Sequence, residues 1–334
     1  MNTQIKTALV TGSSGFIGFH TAKRLLEAGW NVVGLDAMTD YYDVSLKQAR
    51  LAILQGFDQF TNVEATLEAE GVVDQILKTH KPNTVIHLAA QAGVRYSIDA
   101  PRSYVDSNIR GTFEILEAVR TTPVDHLLMA STSSVYGANT KMPYAETDQV
   151  DHQMSFYAAT KKAGEAMAHT YSHLYGIPTT MFRFFTVYGP WGRPDMALFK
   201  FTKAILADEP IDIYNHGNMQ RDFTYVDDLV TALTKLIEVP PLHKQPQDSL
   251  SPIAPWRVVN IGNDQPVKLM AFVEAVERAL GKTAQKNLME KQAGDVFDTW
   301  ADVSLLRSLI GTQPQTDLDT GIAAFVAWYK EHYA

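Results

Sequence analysis

Tyr157 and Lys161 stand four residues apart in a run, 156–175, whose apolar residues recur at helical spacing, so both side chains project from one helix face. A phenol with a pKa near 10 is a poor base at neutral pH. An ammonium one turn away, with a cationic ring bound beside it, stabilises the phenolate, which then suits removal of a proton from a hydroxyl. Tyr-x-x-x-Lys alone is common on solvated helices and becomes specific only beside a second motif. Residues 11–18 read Thr-Gly-Ser-Ser-Gly-Phe-Ile-Gly between a short apolar strand and a helical run. Gly12 permits the tight turn, Gly15 the close approach of backbone to a pyrophosphate, and Gly18 close helix–strand packing. The amides that open the helix, around Phe16 and Ile17, face the phosphates with the positive end of the helix dipole. Asp36 closes the next strand, 24 residues after Gly12. Its carboxylate would accept bonds from ribose hydroxyls and repel a 2′-phosphate, which selects NAD over NADP. A plain strand–helix turn with a solvated Asp is the alternative.

The elements that must position these groups alternate along the first half of the chain. Strands are predicted at 7–10, 31–36, 84–90 and 126–130, and helices at 16–28, 103–120 and 156–175. Nearly continuous apolar runs of four to seven residues suit a parallel sheet covered on both faces. The expected fold is therefore α/β, a Rossmann-type doubly wound parallel sheet, with a smaller α/β C-terminal substrate domain. Residues 1–180 form the expected dinucleotide-binding domain and 181–334 mainly the substrate domain, with some chain returning to the first. Later elements are a strand at 178–185, a helix at 196–207, a strand at 258–261 and a helix at 267–280. Five prolines between 239 and 256 predict a surface excursion.

Composition narrows the remaining classes. The chain has 334 residues, 46% hydrophobic and 20% charged, which is ordinary for a globular protein. It contains no cysteine, so disulfides, thiolate nucleophiles and cysteine-ligated metals are excluded. No metal site is expected. A net charge of −8 argues against a nucleic-acid partner. No apolar stretch approaches the ~20 residues of a membrane span, and the first residues lack a signal-peptide core; a cytoplasmic protein is expected.

Further hydroxyls accompany the tyrosine. Ala130-Ser-Thr-Ser-Ser-Val-Tyr-Gly137 follows a strand, at the carboxyl edge where open α/β sheets bind ligands. With the glycine run and Tyr157/Lys161, this segment resembles the extended short-chain dehydrogenase/reductase family, and from Thr11 to about Asp302 the chain resembles its nucleotide-sugar epimerases and dehydratases. The resemblance implies that Thr132 is the hydroxyl partner of Tyr157, and that Leu88, Ala89, Ala90, Gln91 and Phe184 line the cofactor. It also implies that Asn108 is a structural asparagine of the cofactor site. Arg221, in Arg-Asp-Phe-Thr-Tyr-Val-Asp-Asp, resembles the arginine that holds the diphosphate, although a surface pair with Asp222 is the alternative. Asp295 resembles the residue that binds the nucleotide ribose. Gln292 departs from the Arg of galactose epimerases.

Sugar 4,6-dehydratases carry an Asp-Glu pair after the threonine, and uronate decarboxylases a Glu at the second position. Ser133 and Ser134 stand there instead. Arg183-Phe-Phe-Thr-Val-Tyr-Gly-Pro-Trp-Gly-Arg-Pro-Asp-Met-Ala197, with Thr186 and Arg193, resembles the UDP-glucuronate 4-epimerases. The resemblance implies NAD as cofactor, a UDP-sugar substrate and a homodimer. It implies interconversion of UDP-glucuronate and UDP-galacturonate, with Ser133, Ser134, Thr186 and Arg193 around the carboxylate. A UDP-glucuronate decarboxylase or a neutral-sugar 4-epimerase stays open, as does a surface position for Arg193. A non-catalytic regulator is disfavoured because Thr132, Tyr157 and Lys161 are all present.

Overall fold

The computed structural model describes residues 5–245, 248–291 and 298–333. In its first half β1 (Thr7–Thr11), α1 (Phe16–Glu27), β2 (Asn31–Asp36), α2 (Val44–Gln55), β3 (Phe60–Glu64), α3 (Val72–His80) and β4 (Thr84–His87) alternate. Two short helices, α4 (Tyr96–Asp99) and α5 (Pro101–Tyr104), lead through a π-helical stretch into α6 (Gly111–Thr121). β5 (His126–Ala130), α7 (Phe156–Tyr175) and β6 (Thr179–Phe184) follow. With β10 (Trp256–Ile261) these strands build a seven-stranded parallel sheet in the order β10-β6-β5-β4-β1-β2-β3. The chain runs outward from β1 through β2 and β3, then returns to add β4 on the other side. That reversal opens a crevice at the carboxyl ends of β1 and β4, where both the glycine run and the 88–91 segment lie.

The strands read as continuous apolar runs because helices cover both faces. One face buries Phe19, Leu25 and Leu26 of α1 against Val10, Ile86 and Leu128. The other buries Ile76 of α3, Leu116 of α6 and Ala168 of α7 against Leu9, Val85 and Leu127. The second half supplies β7 (Thr186–Tyr188), α8 (Ala197–Leu206), β8 (Ile211–Tyr214), β9 (Gln220–Tyr225) and α9 (Val226–Ile237). After β10 come β11 (Pro266–Lys268), α10 (Leu269–Leu280), β12 (Lys286–Met289), β13 (Asp298–Thr299), α11 (Ser304–Ile310) and α12 (Leu318–Tyr333). A small sheet, with β7, β11 and β13 each paired to β9, and the parallel pair β8–β12 stand beside a separate apolar core. Phe199, Phe223, Phe272 and Phe325 are its centre.

Three elements differ from the sequence expectation, each for a local reason. The predicted strand 84–90 ends at His87, because the Leu88 and Ala89 amides turn to donate to Thr11 Oγ1 at 3.2 and 3.1 Å. The predicted helix 103–120 is interrupted by π-helical turns over Val105–Arg110, which widen the helix at Asn108. The helix expected from 267 begins at Leu269, since Pro266–Lys268 pairs with β9. The proline-rich excursion is pinned to β10 by Arg257, which donates from Nη1 to Asp248 at 3.2 Å and from Nη2 to Val239 O at 2.8 Å.

Candidate active site

The cradle has the geometry its glycines predict. Gly12 sits at φ +71°, a left-handed backbone that favours glycine, and a Cβ there would meet Ala89 N at 2.9 Å. A Cβ on Gly18 would lie 1.9 Å from Gly12 O, so α1 can approach the turn only as glycine. Gly15 caps α1 without a side-chain bond, leaving the amides around Phe16 and Ile17 at the helix opening. Asp36 accepts from Ser14 N at 3.0 Å and Met38 N at 2.9 Å, so its carboxylate is fixed to the cradle itself. The Ser13 and Ser14 hydroxyls are buried here without a partner. These features fit a dinucleotide pyrophosphate: amides, hydroxyls and a helix N-terminus converge, and nothing larger than hydrogen is tolerated at Gly12 and Gly18.

The neighbouring 87–91 segment is fastened from two sides. Thr11 Oγ1 already accepts two amides, so its proton goes to His87 Nδ1, 2.8 Å away. Burial, assisted by the Lys161 charge, pushes the His87 pKa down to about 3, so its imidazole is neutral. Asn108 accepts from Gln91 N at 2.8 Å and donates to Gln91 O and Thr160 Oγ1, both at 3.0 Å. The π-helical widening gives Asn108 this reach, and so ties the 88–91 segment to α7. Phe184 lies buried at the carboxyl end of β6, stacked on Phe182.

α7 is capped by Ser155, whose hydroxyl accepts from Ala158 N at 3.1 Å, and carries Tyr157 and Lys161 one turn apart. Thr132 stands at the end of the β5 loop, close enough to the Tyr157 phenol to lower its pKa by hydrogen bonding. Burial raises the Tyr157 phenol, while Thr132 and the Arg193 guanidinium oppose that rise. Desolvation outweighs the neighbouring dipoles, and the cation acting on the phenol is Arg193. Lys161 is itself depressed to about 8 by burial, with the Glu165 carboxylate pulling the other way.

Glu165, one turn beyond Lys161, had no role in the sequence reading. It is fully buried, receives Arg183 Nε and Nη2 at 2.9 Å each, and accepts from Ser131 Oγ at 2.7 Å. A Glu four residues after the lysine, with an Arg in the next strand, was the signal available. Glu146, near the same arginine, has its pKa raised to about 7, chiefly by burial and then by Asp302, against the Asn260 amide and Arg183. A carboxyl raised from 4.5 to about 7 contributes stability that is complete below its unfolded pKa and is lost as pH rises through about 7. Glu146→Gln should therefore gain on the native chain by on the order of 2 kcal/mol between pH ~5 and ~8, measured by urea unfolding at both.

Ser133, Ser134, Thr186 and Arg221 come together in a cleft of about 630 Å³, with Tyr144 and Thr299. The alternative pairing of Arg221 with Asp222 does not form. Asp222 points away into the core and accepts from the Asn263, Asp264 and Ala301 amides at 2.7, 3.1 and 3.1 Å. Arg193 instead lines, with Thr186, Phe16, Leu198 and Phe199, a separate and largely apolar pocket. It is not a free surface residue. Its Nε and Nη2 pair with Asp195 at 3.0 and 2.6 Å, and Tyr41 donates to the same carboxylate at 3.1 Å. Asp195 and Tyr41 went unassigned in sequence; an Arg-Pro-Asp triplet permits this fork-to-carboxylate closure. Asp295 and Gln292 lie outside the described residues. Among the described residues no cluster of His, Asp and Glu could hold a metal ion, and no helix is long and apolar enough to cross a membrane.

Comparison with known proteins agrees with this construction. A probable UDP-glucuronate 4-epimerase from Rhizobium meliloti (strain 1021) is 54% identical over 97% of both chains. UDP-glucuronate 4-epimerase 4 from Arabidopsis thaliana is 46% identical over 98% of this chain and 76% of its own. A solved UDP-glucuronic acid 4-epimerase from Bacillus cereus, in complex with UDP-glucuronic acid and NAD, superposes with a TM-score of 0.89. It is 32% identical over 98% of this chain and all of its own. Residues 8–254 match the model of the NAD dependent epimerase/dehydratase family, and the chain belongs to that family.

Proposed function

We propose that the protein interconverts UDP-glucuronate and UDP-galacturonate by oxidation at C4, rotation of the 4-keto sugar and reduction of its opposite face. The observation that carries this reading is the chemistry around the sugar cleft. Ser133, Ser134 and Thr186 offer three hydroxyls, Arg221 stands beyond them, and no carboxylate is among the described lining residues. Such a surface has no carboxylate among its described residues to repel an anionic sugar and lacks the acid–base pair that dehydration needs. The relatives named above act on this substrate or hold it bound.

NAD, held by Gly12, Gly15, the α1 amides and Asp36, supplies the acceptor and donor of hydrogen at C4. Tyr157 takes the proton of the C4 hydroxyl, directly or through Thr132, and returns it on the reverse step. The Lys161 ammonium lies on the same helix face and holds the nicotinamide ribose. Arg221 and Asp295 anchor the UDP, so the sugar turns about a fixed diphosphate. The 4-keto intermediate is a β-keto acid: if the C5–C6 bond breaks, its electron pair enters an enolate, CO2 leaves and C5 takes a proton. Ser133, Ser134, Thr186 and Arg193 hold the carboxylate so that this bond stays out of alignment with the carbonyl. The reaction runs in the cytoplasm and supplies activated uronate for polysaccharide assembly. In a homodimer α6 and α7 pair with their copies, a role that the exposed Phe113 and Leu174 support.

The test is incubation with UDP-glucuronate and, separately, with UDP-glucose, followed by proton NMR of the products. UDP-galacturonate formed much faster than UDP-galactose is the expected result. Preference for UDP-glucose would overturn the uronate reading.

A further inference from the structure

Arg50, on α2, is a guanidinium that the mechanism above does not use. None of its side chain is exposed, its Nε has no partner, and no carboxylate among the described residues pairs with it. Its partners are neutral oxygens on two sides of the site. Nη1 donates to the Ser14 carbonyl in the glycine cradle at 3.0 Å and to the Tyr42 hydroxyl at 2.8 Å. Nη2 donates to the Trp191 carbonyl at 2.6 Å, with Gly192 O at 3.5 Å. The next residue in the chain is Arg193.

A second cofactor-side group grips the same loop. His20 projects from α1, the helix that opens on the cradle. Burial lowers its pKa to about 4, so its neutral ring donates from Nε2 to the Pro190 carbonyl at 2.9 Å. Carbonyls 190 and 191 are thus held by α1 and α2. Between them Trp191 keeps a left-handed backbone at φ +60°, an unfavourable conformation for a bulky residue. Its ring is wedged against Phe19 of α1 and Trp328 of α12, with centroids 5.6 and 5.2 Å away. The conformation that delivers Arg193 to the phenol side of the site is therefore set by residues of the cofactor cradle.

A buried cation without a counter-charge is costly, and Arg50 lies directly behind a cradle built for two phosphate charges. We propose that Arg50 is a positioning residue that couples cofactor occupancy to the placement of Arg193. It answers the dinucleotide's charge through the cradle and, with its other nitrogen, fixes the 190–193 loop. This rests on the uronate reading, since Arg193 matters to product outcome only if a carboxylate must be held.

The test uses Arg50→Lys and Arg50→Met as holoenzymes, read by NAD released per chain on denaturation and by the ratio of UDP-pentose to UDP-galacturonate. A lysine keeps the charge but cannot span both carbonyls. R50K should hold near-native NAD while the share of turnovers ending in CO2 rises about tenfold, the cost of a small misplacement. R50M should in addition lose most of its NAD. A purely structural clamp would lower Tm and leave the product ratio unchanged, and that result overturns the proposal. If neither variant folds, hydrogen exchange on the native chain decides. The 191–193 amides should exchange about tenfold more slowly in the holoenzyme than after NAD is stripped, and equal rates overturn the proposal. Failure of the native enzyme to form UDP-galacturonate would sink the uronate reading, while the exchange measurement would still report on the coupling.

Discussion

Tyr157→Phe should cut kcat by about 10²–10⁴-fold, the range for removing a positioned acid–base group, while the protein keeps its fold and its NAD. The phenol hydrogen-bonds with Thr132, and in the proposed mechanism its loss deprives the C4 hydroxyl of its base. The rest of the site survives: Asn108 still fastens Gln91 to Thr160, and Ser155 still caps α7. Because the phenol must be deprotonated to act as base, and burial raises it against the influence of Thr132 and Arg193, Thr132→Val should move the ascending limb of the pH–rate profile to higher pH. Steady-state kinetics with a count of bound NAD checks both. Y157F activity within about tenfold of native, a loss that falls short of that range, would remove Tyr157 from the mechanism.

Gly18→Ala should abolish stable NAD binding. The added Cβ would stand 1.9 Å from Gly12 O and 3.2 Å from Ser13 Cα, both backbone atoms that no rotamer change can move aside. α1 must then retreat from β1, which takes the helix N-terminus away from the phosphates and opens the core around Phe19 and Ala22. Overpacking of this kind costs about 1–3 kcal/mol or more. The expected result is a chain purified without dinucleotide, with lowered Tm and no recovery of activity at high added NAD. Native NAD content in G18A would show that the cradle is not where the pyrophosphate binds.

The parts of this molecule legible in sequence are those where one residue type answers one local demand. Gly12 and Gly18 are dictated by backbone contact, Asp36 by its place at the end of β2, and the 156–175 helix by its periodicity. What sequence left open depends on distant chain segments meeting. Glu165 and Arg183 look like a helix-surface acid and a strand-interior base until the fold closes them into a buried fork. Asn108 reaches Gln91 because π-helical turns break a run whose apolar spacing reads as plain helix. β3, whose Thr61 and Asn62 give it a mixed pattern, is an edge strand and was missed for that reason. The short strands β7, β8 and β9 all pair with chain that comes later, β7 with β9, β8 with β12, and β9 with β11 and β13, which no local pattern announces. Arg193 stands out in sequence by its motif, but the Asp195 fork and the Tyr41 hydroxyl that fix it become visible only in the fold.

The most direct test of the account is to run the reaction on UDP-glucuronate in D2O with the holoenzyme and follow the products by NMR. The account predicts UDP-galacturonate with protium retained at C4 and C5, because the C4 hydrogen leaves and returns without meeting solvent and the carboxylate never departs. UDP-pentose carrying deuterium at C5, or an epimer with deuterium at C4, would contradict it.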